Sequence, residues 1–270
     1  MARIGEAVAA RADTANNTIR SVVTSTRLFL RWCHEHGYGP PVNERAFTRL
    51  LRSYPATYGK QQAPKPARWL TRDEAFGKLI AACQDDTDRG LRDELVIRLG
   101  LLGLRNSEIR SLMVTHFSAL PSVTWLAKGR KIRTVKVGPA FLALFDRYLA
   151  RYTEALGREL LPDDPIICPS AKRTPGRIVW GTAYNDRAQN IGRIVSERAA
   201  LAGLGHVAPH DLRRTMAGLL HGKVDPSNGA HHYDLRDIQK ALGHARPETT
   251  ARYLELLETN VLDRAARDLD

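Results

Sequence analysis

The feature of this sequence that most constrains its fold is a pair of β-rich runs. Residues 123–126 and 132–137 are rich in β-branched and aromatic side chains, and they flank the short basic segment Ala-Lys-Gly-Arg-Lys over 127–131. Two such runs joined by a short connection that contains glycine are typical of a β-hairpin. Apolar residues elsewhere recur mostly at helical spacing. The sequence therefore predicts a mainly α fold with a small antiparallel β-sheet.

Start and stop signals predict helices on both sides of this hairpin. Thr71 and Glu74 have the spacing of a capping box, which predicts a helix to about Gln84. Gly138-Pro139 predicts the start of a long helix that Gly157 ends. Further helices are predicted over about 18–32, 44–51, 91–102 and 182–202, with three or four short ones over 209–268.

Proline and charge divide the chain into regions. Residues 53–68 are proline-rich, positive and poor in apolar side chains, which is typical of a linker. We therefore predict a short basic helical region over 1–68 and a main domain over 69–257. Residues 258–270 are predicted to form a tail helix, because apolar residues follow a helical pattern from Glu255 to Leu269. This helix would dock on a neighbouring subunit or pack on its own domain.

The chain is strongly basic, which predicts a polyanionic partner. Its 270 residues include 41 Lys and Arg against 29 Asp and Glu, for a net charge of +12. Nucleic acid is the most common partner for such a charge, and a solvated basic surface is the alternative. No apolar run approaches the ~20 residues of a membrane span. Three scattered cysteines, Cys33, Cys83 and Cys168, predict a protein of the reducing cytosol without disulfides.

Several residues have the chemistry that attack on a phosphodiester requires. His210 and Arg213 lie three residues apart, so a helix would place them on one face. Arginine suits phosphate because its guanidinium is always charged and can donate two parallel hydrogen bonds. A tyrosine nucleophile must lose a proton and the departing sugar oxygen must gain one, which histidine and lysine can provide. Such a site needs no metal or cofactor. The candidates are Arg105, Lys128, His210, Arg213, His244 and Tyr253.

Five segments that include these residues resemble, in order, the motifs of the tyrosine recombinases, the phage integrase and Xer group. The resemblance covers about residues 70–257. The segments are Gly-Leu-Arg-Asn-Ser-Glu over 103–108, Ala-Lys-Gly-Arg-Lys-Ile-Arg over 127–133, His-Asp-Leu-Arg-Arg-Thr over 210–215, Leu-Gly-His over 242–244 and Thr-Thr-Ala-Arg-Tyr over 249–253.

The resemblance implies a function for the chain and a role for each candidate residue. Tyr253 would form a 3′-phosphotyrosyl link to DNA, and the other five candidates would assist it without metal or ATP. The 5′-hydroxyl that is left behind would attack another strand's link. The partners implied are double-stranded DNA with specific recombination sites and further copies of the chain, as a tetramer on DNA and a monomer when free. The location implied is the cytoplasm, with the chain encoded by a prokaryote or by a phage or mobile element.

Alternatives remain open for both the residues and the function. Lys131 competes with Lys128 for the lysine role, since both lie near the hairpin turn. A DNA-relaxing enzyme like the type IB topoisomerases would use the same tyrosine chemistry, and a DNA-binding protein that has lost catalysis is a third possibility. The Cys-His-Glu-His segment over 33–36 and the pair His206 and His210 are weak candidates for a metal site.

Two departures from the family pattern affect geometry and DNA clamping. The segment over 223–232 is longer than the family usually has between the arginine and the second histidine. Only residues 18–51 resemble the latter part of the larger helical domain that usually precedes the catalytic one. Beyond the catalytic set, the basic residues predicted to contact DNA are Arg20, Arg27, Arg31, Lys60, Lys65, Arg130, Lys131, Arg133 and Arg214.

Overall fold

The structure is a computed structural model, and it divides into two compact units, residues 1–67 and 68–270. It describes residues 16–53, 68–127, 131–171, 174, 176–184, 191–224, 227 and 231–243. Residues 54–67 of the predicted linker and the whole predicted tail helix lie outside the described residues.

The first unit contains helices α1 (Asn16–Glu35) and α2 (Glu44–Ser53). Both were predicted, and each is a few residues longer than its apolar pattern indicated. Ile19 and Val23 lie one turn apart on α1 and bury against Phe47 of α2. Because only these few apolar side chains are buried between the two helices, polar contacts contribute to holding them together.

Those polar contacts involve the three α1 arginines that the sequence predicts to bind DNA. Arg20 donates a 2.6 Å hydrogen bond to the Leu51 carbonyl. Arg27 lies 3.7 Å from the Glu44 carboxylate, and Arg31 donates a hydrogen bond to the same group. Since the side chains of Arg27 and Arg31 remain 27% and 45% exposed, contact with DNA stays a prediction for them.

The second unit is mainly helical and carries one hairpin, which confirms the predicted fold class. In chain order its described elements are a π-helix Asp73–Ile80 continued by a 3₁₀ turn Ala81–Cys83, α3 (Asp88–Leu101), α4 (Asn106–Arg110), a 3₁₀ turn Val114–Phe117, β1 (Ser122–Ala127), β2 (Lys131–Lys136), α5 (Pro139–Leu156), α6 (Ile191–Leu201), α7 (Pro209–His221) and α8 (Leu235–Leu242). Among the described helices, none is long and apolar enough to cross a membrane.

Local signals placed most of these elements correctly. The capping box is present, with Glu74 N 3.2 Å from Thr71 Oγ1 and Thr71 N 2.8 Å from the Glu74 carboxylate. Helix α5 begins at Pro139 and ends at Gly157, whose φ of 64° is the left-handed conformation that glycine adopts readily. The segment that the box caps differs from the prediction, because its hydrogen bonding is π-type rather than α.

The helix predicted over 182–202 is wrong at its start. Residues 182–184 are not helical, residues 185–190 lie outside the described set, and α6 begins at Ile191. The cause is a turn at Gly181, whose φ is 75° and whose N–H donates to the Tyr152 hydroxyl at 3.1 Å. Trp180 packs on the Tyr152 ring, with centroids 4.8 Å apart. This packing keeps residues 182–184 out of the helix.

The hairpin packs one face against the core. Its strands pair antiparallel from Ser122 opposite Lys136 to Ala127 opposite Lys131. Val123, Trp125 and Ala127 alternate toward the interior and are buried. Leu126, Lys131 and Ile132 are exposed, so the start of β2 is free to meet a ligand.

Helix α3 lies at the centre of the unit and contacts α5, α6 and α7. Leu95, Ile97 and Leu99 are fully buried although they point in different directions around the helix. A helix that is apolar on most of its circumference must be surrounded by other elements. Gly100 is where α7 comes closest, since a Cβ there would lie 2.6 Å from Leu212.

A buried ion network links α3 to α6 within this core. The fully buried carboxylate of Asp93 accepts hydrogen bonds from Arg92 at 2.6 Å and from Arg198 at 2.8 Å. Arg198 also donates to the Ala82 carbonyl and the Asp85 carboxylate, at 2.8 and 2.7 Å. Burial of a charge is favourable only when such partners are present.

The network gives a stability prediction. Asp93→Ala should lower the free energy of unfolding by about 3–5 kcal/mol, because two buried arginines lose their shared carboxylate. Urea unfolding followed by circular dichroism measures this. Glu154→Ala removes a carboxylate whose side chain is 76% exposed and should change the free energy by less than about 0.5 kcal/mol. An equal effect of the two substitutions would contradict the role given to Asp93.

Candidate active site

The carboxyl end of α8, residues 241–243, is bound by three arginines from three different elements. The last carbonyls of a helix have no intrahelical partner, so other donors must satisfy them. The pairs are Arg133 of β2 with the Ala241 oxygen, Arg213 of α7 with the Leu242 oxygen at 2.8 Å, and Arg105 with the Gly243 oxygen at 3.5 Å. Two predicted catalytic arginines therefore meet on neighbouring peptide groups.

Two glycines allow this close approach. Gly243 ends α8 with a φ of 63°, and a Cβ on it would lie 2.8 Å from Nε of Arg133. Gly103 has a φ of 87°, and a Cβ there would lie 2.7 Å from the Met216 sulfur of α7. A side chain at either position would be strained and would also separate the packed segments.

Glu108 holds Arg105 in place. Its buried carboxylate accepts hydrogen bonds from the Arg105 backbone N–H and from the Arg105 guanidinium, each at 2.8 Å. Burial alone would raise the pKa of Glu108, but these two hydrogen bonds and the charges of Arg105 and Arg133 hold that pKa below its ordinary value. The carboxylate is thus ionised at neutral pH and fixes the orientation of Arg105.

Arg133 is held between the hairpin and α8. Its guanidinium lies 5.0 Å over the Trp125 ring and donates to the Ala241 carbonyl. Burial lowers the pKa of Arg133, and the charge of Glu108 opposes that shift only in part. Arg133 was predicted as a DNA contact because of its charge. In the structure its guanidinium instead binds α8, so a direct DNA contact stays a prediction.

Helix α7 carries the predicted histidine and arginine. Pro209 begins the helix, and the Asp211 carboxylate accepts a 2.9 Å hydrogen bond from the Ala208 N–H at its start. Arg213, one turn after His210, is only 1% exposed. The pKa of His210 is lowered by burial and then by the charges of Arg214 and Arg213. A neutral imidazole is therefore available here to accept a proton.

A basic cleft of about 370 Å³ opens beside these groups. Five of its lining residues are cationic and none is acidic. The lining consists of Arg105, Ala127, Lys131, Ile132, Arg133, Arg236, Gln239, Lys240 and Gly243. Such a charge distribution suits an anion as ligand. No three His, Cys, Asp or Glu side chains gather as a metal site within the described part of the chain.

The structure brings together only part of the predicted site. Arg105 and Arg213 converge, and His210 lies on the same helix as Arg213. Lys128, His244 and Tyr253 lie outside the described residues. Lys131 is exposed and lines the basic cleft, so the choice between it and Lys128 stays open.

The remaining predicted DNA contacts have mixed outcomes. Arg214 is half-buried and pairs with Asp211 at 2.8 Å. Lys60, Lys65 and Arg130 lie outside the described residues. The sequence analysis missed Arg236, Gln239 and Lys240, although two cations one helical turn apart were a readable signal.

Comparisons with known proteins agree with the motif resemblance. A sequence model of the phage integrase family matches residues 68–260. The tyrosine recombinase XerD of Neisseria meningitidis serogroup B is 30% identical over 259 residues, covering 93% of this chain and 76% of that protein. The tyrosine recombinase XerC of Corynebacterium efficiens is 29% identical over 253 residues, covering 91% and 69%.

Solved structures share the fold at lower identity. A post-cleavage complex of the XerH site-specific recombinase with a palindromic difH substrate has a TM-score of 0.57 at 18% identity, covering 96% of this chain and 74% of that one. A lambda integrase dimer bound to a COC′ core site has a TM-score of 0.54 at 15% identity, covering 93% and 77%.

The Glu108 geometry predicts a pH-dependent stability difference. Glu108→Gln should lower the free energy of unfolding at pH 7 by about 1–3 kcal/mol, because charged hydrogen bonds to Arg105 are lost. Since the folded-state pKa of Glu108 lies below its ordinary value of 4.5, its contribution is present above that pH and is lost as pH falls through the folded-state pKa. Urea unfolding at several pH values should show the gap between wild type and variant closing in acid. A gap that does not change with pH would contradict this account.

Proposed function

The chain belongs to the phage integrase family and is a tyrosine-type site-specific recombinase, and we propose that Tyr253 is its nucleophile. The observation that carries this assignment is the meeting of Arg105 and Arg213 at the carboxyl end of α8. His244 is the next residue of the chain after Gly243, and Tyr253 follows nine positions later. The arginine pair thus lies where the nucleophile segment begins.

The two arginines would hold the non-bridging oxygens of the scissile phosphate. Negative charge builds on these oxygens as the tyrosine oxygen approaches, and fixed cations stabilise it without a metal ion. Glu108 supports this role because it orients the Arg105 guanidinium. The burial of Arg213 supports it as well, because a cation shielded from water acts more strongly on a bound phosphate.

Two proton transfers complete the proposed reaction. The Tyr253 hydroxyl loses its proton to a histidine as its oxygen bonds to phosphorus, and the lowered pKa of His210 supports His210 in that role. The 5′-oxygen of the DNA leaves and takes a proton from Lys128, with Lys131 as the alternative donor. His244 would add a hydrogen bond to the phosphate. Rejoining is the reverse sequence on another strand, so the bond energy is retained.

We also propose roles for the three regions of the chain, an oligomeric state and a cellular location. The region over 1–68 would contact DNA with its basic helices, residues 69–257 would form the catalytic domain, and residues 258–270 would dock on a neighbouring copy. The chain would act on double-stranded DNA as an oligomer, a tetramer at the recombining sites. Its free thiols at Cys33, Cys83 and Cys168 support a reducing cytoplasm as its location.

The proposal is tested by trapping the covalent intermediate. Wild-type protein incubated with nicked duplexes, selected from random DNA by binding, should give an SDS-resistant protein–DNA adduct. Tyr253→Phe should give none, because the attacking oxygen is absent. Arg105→Gln should slow adduct formation by about 100- to 1000-fold, since one transition-state donor is lost.

Two controls separate chemistry from binding and folding. The Arg105→Gln variant should bind the same duplexes nearly as well as wild type and keep its circular dichroism spectrum. If Tyr253→Phe still forms the adduct, another residue is the nucleophile. If Arg105→Gln loses binding and cleavage in equal measure, Arg105 does not act mainly in the transition state.

A further inference from the structure

The wall of the basic cleft on α8 carries cations that the proposed reaction does not use. Arg236 and Lys240 lie four residues apart, one helical turn, and both line the cleft with the intervening Gln239. Lys131, the first residue of β2, also lines it. All three cations are exposed, and none of them pairs with a carboxylate within the described part of the chain.

The stability of α8 does not account for the position of Arg236. Like charges at positions i and i+4 of a helix repel each other and weaken it. Arg236 also lies in the first turn of α8, where the partial positive charge of the helix amino end disfavours a cation. Lys240 lies in the last turn of α8, where the dipole favours a cation, so the charge of Arg236 alone opposes its part of the helix. An exposed Arg236 that has no ion pair among the described residues is explained by an anionic ligand.

Arg236 lies at the other end of α8 from the arginines that bind its carboxyl end, although Arg105 and Arg133 line the same cleft. Arg105, Arg133 and Arg213 donate to the carbonyls of residues 241–243. Arg236 precedes Gly243 by seven residues (243 − 236 = 7), which is about 10 Å along the helix axis. Successive phosphates of one DNA strand can bind near the two ends of that distance.

We propose that Arg236 and Lys240 form a site for a second backbone phosphate of DNA, next to the phosphate held by Arg105 and Arg213. The ligand of this site rests on the proposed function, because the same DNA strand would occupy both positions. A guanidinium and an ammonium group one helical turn apart can bind the same phosphate. The second contact would fix the direction of the strand across the active site.

The salt dependence of DNA binding tests this site. Fluorescence anisotropy with a labelled duplex of arbitrary sequence gives the binding constant at several salt concentrations. The double variant Arg236→Gln with Lys240→Gln should lower the slope of log K against log salt by about one, which weakens binding about tenfold at ~0.1 M salt. Arg236→Lys with wild-type Lys240 should keep most of the slope, because the charge is retained.

A matched control removes the same charge elsewhere. Arg147 and Arg151 are exposed arginines of α5 that do not line the cleft, and their side chains are 59% and 53% exposed. Arg147→Gln with Arg151→Gln should leave the slope unchanged. Arg236→Gln alone should leave the melting temperature equal or higher, because it relieves repulsion within α8.

Each outcome decides the proposal. The second phosphate site is wrong if the cleft double variant keeps the wild-type slope, or if the control double variant loses as much. It is also wrong if the loss of binding accompanies a fall in melting temperature, since the two residues would then be structural. If wild type forms the covalent adduct while the cleft variant keeps its slope, the second phosphate site is wrong and the proposed function stands. If the slope falls but no adduct forms, the DNA site stands and the assignment of Tyr253 fails.

Discussion

Helix α8 ends in carbonyl groups that no further turn of helix can satisfy, and the active-site side of the second unit depends on how they are bound. Arg105, Arg133 and Arg213 come from segments far apart in the sequence, and each donates to one of the last three carbonyls. The negative end of the helix dipole makes cations favourable at this point. The three arginines that cap the end of α8 thus also place positive charge where a phosphodiester could bind.

The arginines near the end of α8 affect the ionisation of neighbouring side chains. Burial lowers the pKa of His210, and the charges of Arg214 and Arg213 lower it further, which leaves its imidazole neutral at neutral pH. The negative charge beside Arg105 and Arg133 comes from Glu108, which is buried and hydrogen-bonded to Arg105. The same cluster therefore keeps its arginines oriented, keeps a histidine ready to accept a proton, and leaves the cleft itself without acidic side chains.

Sequence reasoning predicted what local signals control. The hairpin, the limits of α5 and the capping box follow from residue types at short spacing, and the structure has them. The arginines that we propose as catalytic were predicted from their chemistry and the motif resemblance. Their common partner at Leu242 and Gly243 depends on long-range packing through Gly103 and Gly243, which spacing does not reveal. The role of Arg133 was missed for the same reason, because charge alone favoured a surface contact. The start of α6 was wrong because aromatic packing at Trp180 overrides the helical pattern.

The central claim is that arginines from separate elements hold the end of α8 in place. Hydrogen–deuterium exchange of Arg133→Met tests it most directly, with Arg147→Met as an exposed arginine control. The account predicts faster exchange of the amides over 235–243 in Arg133→Met, unchanged exchange in α5, and no change in the control. If the amides over 235–243 exchange as slowly in Arg133→Met as in wild type, the claim is contradicted.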